Sequence, residues 1–298
     1  MRALDPPPRK PALSFTKTET KATRLLVISR GAGSMNEEVE KELRSAFADH
    51  LIVDFDPHED IEKLVSSRAR IIVAGGDGTV EFMVRKFADS RHPIGVISLG
   101  TFNNLARALG LPPKIEDAID VARDGHARPI TLGRVNDHVF VEACAIGLFG
   151  ETIALGDSAK DLEFGQLAVK LKNVIAAKRF QYELAGDIEG GGSAMSLVFS
   201  NTSSIGSQLP ISDGTPIDPH LEFSVHAGES RTDIAIRALK SALLMKHTED
   251  GTGQVFKFSE LEVKTRPRVR VYADNFQVGR TPARISAYTS ALKMLLPK

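Results

Sequence analysis

The stretch Arg70–Phe87, RIIVAGGDGTVEFMVRKF, decides the fold. An apolar run from Ile71 to Ala74 meets Gly75, Gly76 and Gly78 grouped around Asp77, and a pattern with helical spacing follows from Val80. A strand that ends in glycines and passes directly into a helix can point several backbone N–H groups at one spot. Glycine permits the positive φ values of an amide nest, and without a Cβ it lets a ligand come close. Thr79 is placed to cap the helix, whose N-terminus favours an anion. The stretch therefore predicts a phosphate cradle. Asp77 would be repelled by a phosphate unless a divalent metal lies between them, or unless it takes a proton from an attacking hydroxyl. The plainer alternative is a tight β–α turn carrying a surface aspartate.

Working outward, the same alternation recurs. RLLVIS (24–29), LIVDF (51–55) and IGVISL (94–99) read as short buried strands. NEEVEKELRSAF (36–47), HEDIEKLVSS (58–67) and VEFMVRKFA (80–88) read as helices. Short apolar strands alternating with helices predict a parallel sheet covered on both faces. After Arg128 the rhythm changes. Two strands flank the turn at Val135–His138, a long helix is expected over 158–180, and a hairpin with a Gly-rich turn over 181–202. A strand at 220–228 and a helix at 231–247 follow, and strand-like pieces dominate from Val255 to Leu296. The expected organisation is a flexible tail (1–20), an α/β nucleotide-binding domain (21–129), and a mainly antiparallel β-sandwich (130–298) whose last residues can pack back on the first domain.

Composition narrows the classes. With 38 Lys+Arg against 38 Asp+Glu, the net charge is zero, which argues against a nucleic-acid partner. Cys144 is the single cysteine, so no internal disulfide can form and a reducing, cytoplasmic setting is expected. No apolar run approaches the roughly 20 residues of a membrane-spanning helix, and the N-terminus lacks a secretory apolar core. Within the two expected helices, QLAVKLKNVIAAKRF (166–180) and IAIRALKSALLMKH (234–247) mix apolar residues with Lys and Arg, a pattern that suits either packing on the sandwich or transient contact with a membrane surface. The eight histidines show no metal-ligand spacing. Oligomeric state is not legible.

A second motif supports the first. SLGTFNNLARALGLP (98–112) again brings a strand end, Gly100 and Thr101, to a helix start. In a parallel sheet both loops lie at one carboxyl edge, where open α/β sheets bind ligands. Asn103 and Asn104 can donate to phosphate, accept from a ribose hydroxyl, or simply cap the helix. A third strand end, VISRGAGSMN (27–36), has Gly31 and Gly33 near a dinucleotide fingerprint, with acids at the end of LIVDFD about 20 residues on. Its third fingerprint position is Asn36 rather than Gly or Ala, and the fingerprint leaves GGDGT unexplained. A phosphate-touching turn is expected there rather than a nicotinamide site.

GGDGT at 75–79 followed by L-G-T-x-N-N-x-A-R-x-L-G-L-P at 99–112 resembles the diacylglycerol-kinase catalytic family, which includes bacterial lipid kinases and sphingosine and ceramide kinases. The similarity runs from Leu25 to Pro297. GGDGT alone is shared with NAD kinases; the pair of motifs points to lipid kinases. The resemblance implies an α/β nucleotide domain and a β-sandwich lipid domain with the active site between them, ATP with Mg²⁺, and a lipid substrate at the inner membrane face. Ser29, Gly31 and Gly33 then stand in a modified first loop, where Arg30 can also pair with phosphate. Gly75, Gly76, Gly78 and Thr79 match the triphosphate loop, Gly100, Thr101, Asn103 and Asn104 supply the second, and Asp77 is the metal-side carboxylate.

The departures are specific. The family continues GGDGT-x-N-E, whereas Glu81 and Phe82 stand here, moving the acid by one step. Near the C-terminus the family carries D-G-E, whose aspartate is a general base in some members; here Asp274 remains, with Asn275 and Phe276 after it. Asp274 is the implied base, with Asp77 the alternative. The expected activity is ATP-dependent phosphorylation of a primary hydroxyl on a diacylglycerol-like or long-chain-base lipid. The alternatives are a non-catalytic nucleotide- or lipid-binding regulator, an NAD kinase, or a dinucleotide oxidoreductase.

Overall fold

A computed structural model of the chain describes residues 21–150, 178–205, 209–226 and 255–298. The expected tail, and the helices expected over 158–180 and 231–247, fall on or largely on residues outside that set.

Strands β1 (Ala22–Ile28), β2 (Leu51–Asp54), β3 (Val65–Gly75) and β4 (Pro93–Ser98) form a parallel sheet in the order β2-β1-β3-β4. Strand side chains alternate between faces, and both faces here are buried. Leu25, Val27, Ile71, Val73, Ile94 and Val96 share one core with Val80, Met83 and Val84 of helix α2 (Asp77–Lys86) and with its C-cap Phe87. Leu26, Ile28, Ile72, Ala74 and Ile97 share the other with Val39 and Leu43 of α1 (Glu37–Ala46). That second core also takes Ala118, Ile119 and Ala122 of α4 (Ile115–Asp124). Each large aliphatic side chain so buried contributes roughly 1.5–3 kcal/mol. This is why the strand sequences are apolar without interruption.

The helix expected over 58–67 is a single 3-10 turn, Ile61–Lys63, and β3 begins at Val65, before the run that signals it. Val65 pairs with Ala22 of β1 in the sheet, and Ile61 is fully buried. A β-branched residue followed by two serines has little helix preference to set against that pairing. Conversely, α4 was not anticipated. Its signal is Ala118, Ile119 and Ala122 on one face, just after Pro112-Pro113. It lies so close to β4 that a Cβ on Gly95 would come within 3.2 Å of the Ala122 Cα. The short α3 (Asn104–Ala108) ends with Gly110 at φ 67°, and the Leu111 N–H reaches back to the Ala106 carbonyl at 2.9 Å.

The second half is a sandwich. One layer runs in the order β14 (Val255–Phe258), β13 (Leu221–His226), β10 (Ser196–Ser200), β7 (Ala143–Gly147), β16 (Arg270–Ala273), β17 (Phe276–Arg280), all antiparallel. The facing layer holds β18 (Ala283–Leu296), β15 (Glu260–Arg266), β8 (Phe180–Gly186) and β9 (Gly190–Ala194), with β5 (His126–Val135) on β18 and β6 (His138–Phe140) on β5. A small ribbon pairs β11 (Ser204–Ile205) with β12 (Leu209–Pro210). Phe199 stacks on Phe223 at 4.9 Å and meets Phe258 edge-on at 5.8 Å between the layers.

Strand β18 ties the halves together. Its first part pairs with β15, Ile285 opposite Leu261. Its last part runs parallel to β4, with Lys293 opposite Pro93 and Met294 opposite Ile94. The strand bends at Ser290, which takes φ 55°, and its register on β5 shifts between Tyr288 and Leu292. One sheet therefore passes through both halves. Pro129, where the sequence rhythm changes, lies inside β5 opposite Lys293 of β18 rather than standing in a linker.

Candidate active site

The three expected loops meet at the carboxyl edge of the parallel sheet. The Ser29 N–H donates to the Ala74 carbonyl at 2.8 Å, the Leu99 N–H to the Gly75 carbonyl at 2.8 Å, and the Ser34 N–H to the Leu99 carbonyl at 2.9 Å. Loop 29–33 thus sits against loop 99–104, with Gly75–Thr79 between them.

The glycines act through space rather than through φ. None of Gly75, Gly76 and Gly78 takes a positive φ, and Gly76 stands at φ −81°. The expected left-handed nest is absent from this loop. A Cβ on Gly75 would lie 3.0 Å from the Thr79 Cβ and 3.1 Å from the Ser29 Cβ. A Cβ on Gly100 would lie 2.9 Å from the Gly76 Cα and 3.0 Å from the Asp77 Oδ2. The loops touch backbone to backbone, and side chains there would force them apart. Gly31 and Gly78 face open space, and Gly33 leaves 3.6 Å to the Thr101 Oγ1.

Gly76, not Thr79, is the N-cap of α2. Thr79 lies within the first turn and is buried. A glycine cap brings no side-chain acceptor to the first N–H groups of the helix. The amides of Asp77, Gly78 and Thr79 therefore form an end suited to an anion.

The Asp77 carboxylate grips the second loop. Its Oδ2 accepts the Asn103 N–H and its Oδ1 the Asn104 N–H, both at 3.0 Å. Asn103 takes the left-handed conformation, φ 51°, and its side chain closes the loop by bonding the Gly100 N–H and carbonyl, both at 3.0 Å. Asn104 is buried. Its Nδ2 donates to Glu142 at 3.3 Å, and its Oδ1 accepts from the Ser204 hydroxyl at 3.2 Å. Both asparagines hold loops and domains in register, a role closer to capping than to ligand contact. Each Asp77 oxygen spends one lone pair on an amide and keeps another. That donor set fits a Mg²⁺ held mainly by phosphates with one protein carboxylate. Among the described residues no group of three His, Cys, Asp or Glu could hold a metal alone.

In the first loop, Arg30 turns from the phosphate edge to Glu40 and Asp54, each at 3.0 Å. Asn36, the third fingerprint position, caps α1 by accepting the Val39 N–H at 2.9 Å. The fingerprint-like spacing here serves a helix start.

Asp274 sits at the β16–β17 turn with φ 51°, is 4% exposed, and points inward. Its oxygens accept the N–H groups of Val141 (3.0 Å), Glu142 (2.8 Å) and Ala143 (3.2 Å), and the Arg85 Nη1 at 2.7 Å. This carboxylate ties the sandwich to α2. Arg85 was not anticipated as a site residue, although its i,i+4 spacing from Glu81 is visible in the sequence. Its Nη1 also meets the Glu81 Oε2 at 3.1 Å, and its guanidinium lies 5.4 Å from the ring centroid of Phe276. Burial, and next the Asp274 charge, push Glu81 up to about 8; Arg85 works against them. Glu142 also went unread, because topology alone brings it to Asn104. Cys144 is fully buried, and burial pushes its thiol well above the ordinary range.

Residues 27–135 match the family profile described as diacylglycerol kinase catalytic domain. A diacylglycerol kinase of Mycobacterium tuberculosis is 29% identical over 266 residues, covering 83% of this chain and 84% of that protein. A crystal structure of a diacylglycerol kinase from Bacillus anthracis superposes with TM-score 0.69 at 23% identity, over 94% of this chain and 98% of that one. An NAD kinase from Archaeoglobus fulgidus, solved in complex with ATP, shares the fold with TM-score 0.53 at 15% identity, over 92% and 93%. The matched segment, 27–135, contains all three strand-end loops, and the similarity to the diacylglycerol kinase of Mycobacterium tuberculosis extends over most of the chain. Among the described residues, no helix is long and apolar enough to cross a membrane.

Proposed function

We propose that the protein transfers the γ-phosphoryl group of ATP to a primary hydroxyl of a diacylglycerol-like or long-chain-base lipid. The observation that carries this reading is the contact of three strand-end loops at one sheet edge around the uncapped start of α2. The amides of Asp77, Gly78 and Thr79 receive the phosphates there, with Ser29, Gly31, Gly33, Gly75, Gly76, Gly100 and Thr101 around them. The first-turn amides and the helix dipole stabilise the anion. Bound Mg²⁺ would neutralise phosphate charge beside Asp77. Asp77 also keeps the second loop closed, so one side chain sets the width of the cradle. The lipid reaches the junction of α/β domain and sandwich from a membrane surface at its inner face, and the chain works in the cytoplasm.

The test is transfer of labelled phosphate from ATP to a lipid panel, comparing wild type with Asp77→Ala. Labelled lipid from wild type alone is expected; none from either protein would remove the kinase reading. One observation favours a second reading, a non-catalytic nucleotide- or lipid-binding regulator. Asp274 is consumed by three amides and Arg85, and Phe276 follows in place of an acid. Calorimetric ATP binding without turnover would support it.

A further inference from the structure

Three carboxylates stand along the line from the start of α2 to the β16–β17 turn. Both Asp77 oxygens accept amides of the second loop. Both Asp274 oxygens accept amides of Val141–Ala143, and one also takes Arg85. Glu81 differs. Its Oε2 receives the Arg85 Nη1 at 3.1 Å, while its Oε1 accepts nothing among the described residues. Glu81 follows Asp77 by one helical turn and so lies on the same side of α2. Arg85 links it to Asp274 on the opposite wall. The cluster reaches solvent at Arg85, whose side chain is 23% exposed, and at Phe276, 57% exposed. At Phe276, where the resemblance implies a glutamate, the ring has no proton to exchange.

From this geometry we infer that Glu81 is the proton acceptor of the transfer, a carboxylate supplied by α2 to the junction where the one carboxylate of the β16–β17 turn, Asp274, is taken up by three amides and Arg85. The inference rests on the phosphotransfer reading above. The lipid hydroxyl oxygen forms a bond to the γ-phosphorus of ATP, and the bond from that phosphorus to the bridging oxygen breaks. ADP leaves with the electron pair, and the hydroxyl proton passes to the Glu81 Oε1. Arg85 is a positioning residue: shared with Asp274, it holds the Glu81 carboxyl in one orientation. The groups facing Glu81 are Arg85 and Asp77 from its own helix and Asp274 from the turn, and their balance with burial leaves it near 8. A carboxyl in that range can take and return a proton near neutral pH.

The experiment compares wild type, Glu81→Gln and the double variant Glu81→Gln/Phe276→Glu. Labelled ATP is supplied with mixed micelles containing a diacylglycerol or a long-chain base, and kcat is followed against pH. ATP affinity is measured in parallel by calorimetry. Gln keeps the volume and the acceptor for Arg85, so the fold and ATP affinity should be retained. The expected result is a loss of ~10²–10⁴-fold in kcat, disappearance of the rise in kcat as pH climbs through about 8, and recovery of at least ~10-fold in the double variant. Wild-type turnover by Glu81→Gln overturns the assignment. So does a slow Glu81→Gln that keeps the wild-type pH profile and is not rescued by Phe276→Glu, since that pattern means a structural role. A wild type that labels no lipid takes down the phosphotransfer reading itself, and this inference with it.

Discussion

Replacing Arg85 by Met removes the cation that Glu81 and Asp274 share while keeping much of the aliphatic stem. Breaking a buried ion pair by deleting one partner typically costs ~3–5 kcal/mol, because the other charge stays buried and unpaired. Two features of this site reduce that figure. Asp274 keeps its three backbone donors. Glu81, held near 8, is largely protonated at neutral pH, so a single charge loses its partner. The expected loss is therefore ~2–3 kcal/mol, at or just below the lower limit of the general range. The assay is urea unfolding at neutral pH, followed by a probe of each half. The midpoint should fall with an unchanged slope, and both probes should move together, because β18 hydrogen-bonds to β4 and to β15. Lys63→Met serves as the comparison, since its ion pair with Asp60 lies on the surface, and its midpoint should not move. If Arg85→Met matched that comparison, the side chain would be solvated in solution, and the picture of a charge shared across the junction would be refuted.

Three other outcomes follow from the same geometry. Glu81 is raised from 4.5 to about 8 on folding, so the folded state holds its proton more tightly than the unfolded chain. The stabilisation is complete below about 4.5 and is lost as pH climbs to about 8. Glu81→Gln should remove a few kcal/mol of that slope in denaturant midpoints taken across the window. Gly100→Ala would set a methyl 2.7 Å from the Asn103 Oδ1 and 2.9 Å from the Gly76 Cα. It should weaken ATP binding by more than ~10-fold in calorimetry, about 1.4 kcal/mol, with the circular dichroism spectrum retained; unchanged affinity would place the nucleotide elsewhere. Gly95→Ala would press a methyl 2.8 Å from the Ile72 Cδ1 and 3.2 Å from the Ala122 Cα. It should cost ~1–3 kcal/mol by overpacking, read as a lower urea midpoint with catalysis intact at low temperature.

Local sequence was sufficient for features whose physics is local. Uninterrupted apolar runs such as Leu25–Ile28 and Ile71–Ala74 require burial on two faces, so strands alternating with helices imply a covered parallel sheet. Glycines at two of its strand ends already marked one edge as a meeting place of backbones. Where competing partners decided the outcome, the reading strayed. Val65 went to a strand because Ala22 was there to pair with it, and Thr79 lost the cap to Gly76. Asn36, at the position where the near-fingerprint fails, works as a helix cap.

The amino-acid sequence by itself determined the layered α/β half, the sandwich that follows it, and the loops that face one another. Which carboxylate is left open was settled only by the tertiary structure. Asp77, Glu81 and Asp274 are alike on paper, and their spacing does not say that amides from 141–143 close around one of them while Arg85 reaches across from α2. An acid's role depends on the donors and charges that enclose it. Those come from segments up to 189 positions away, brought together by a sheet that runs through both halves of the chain.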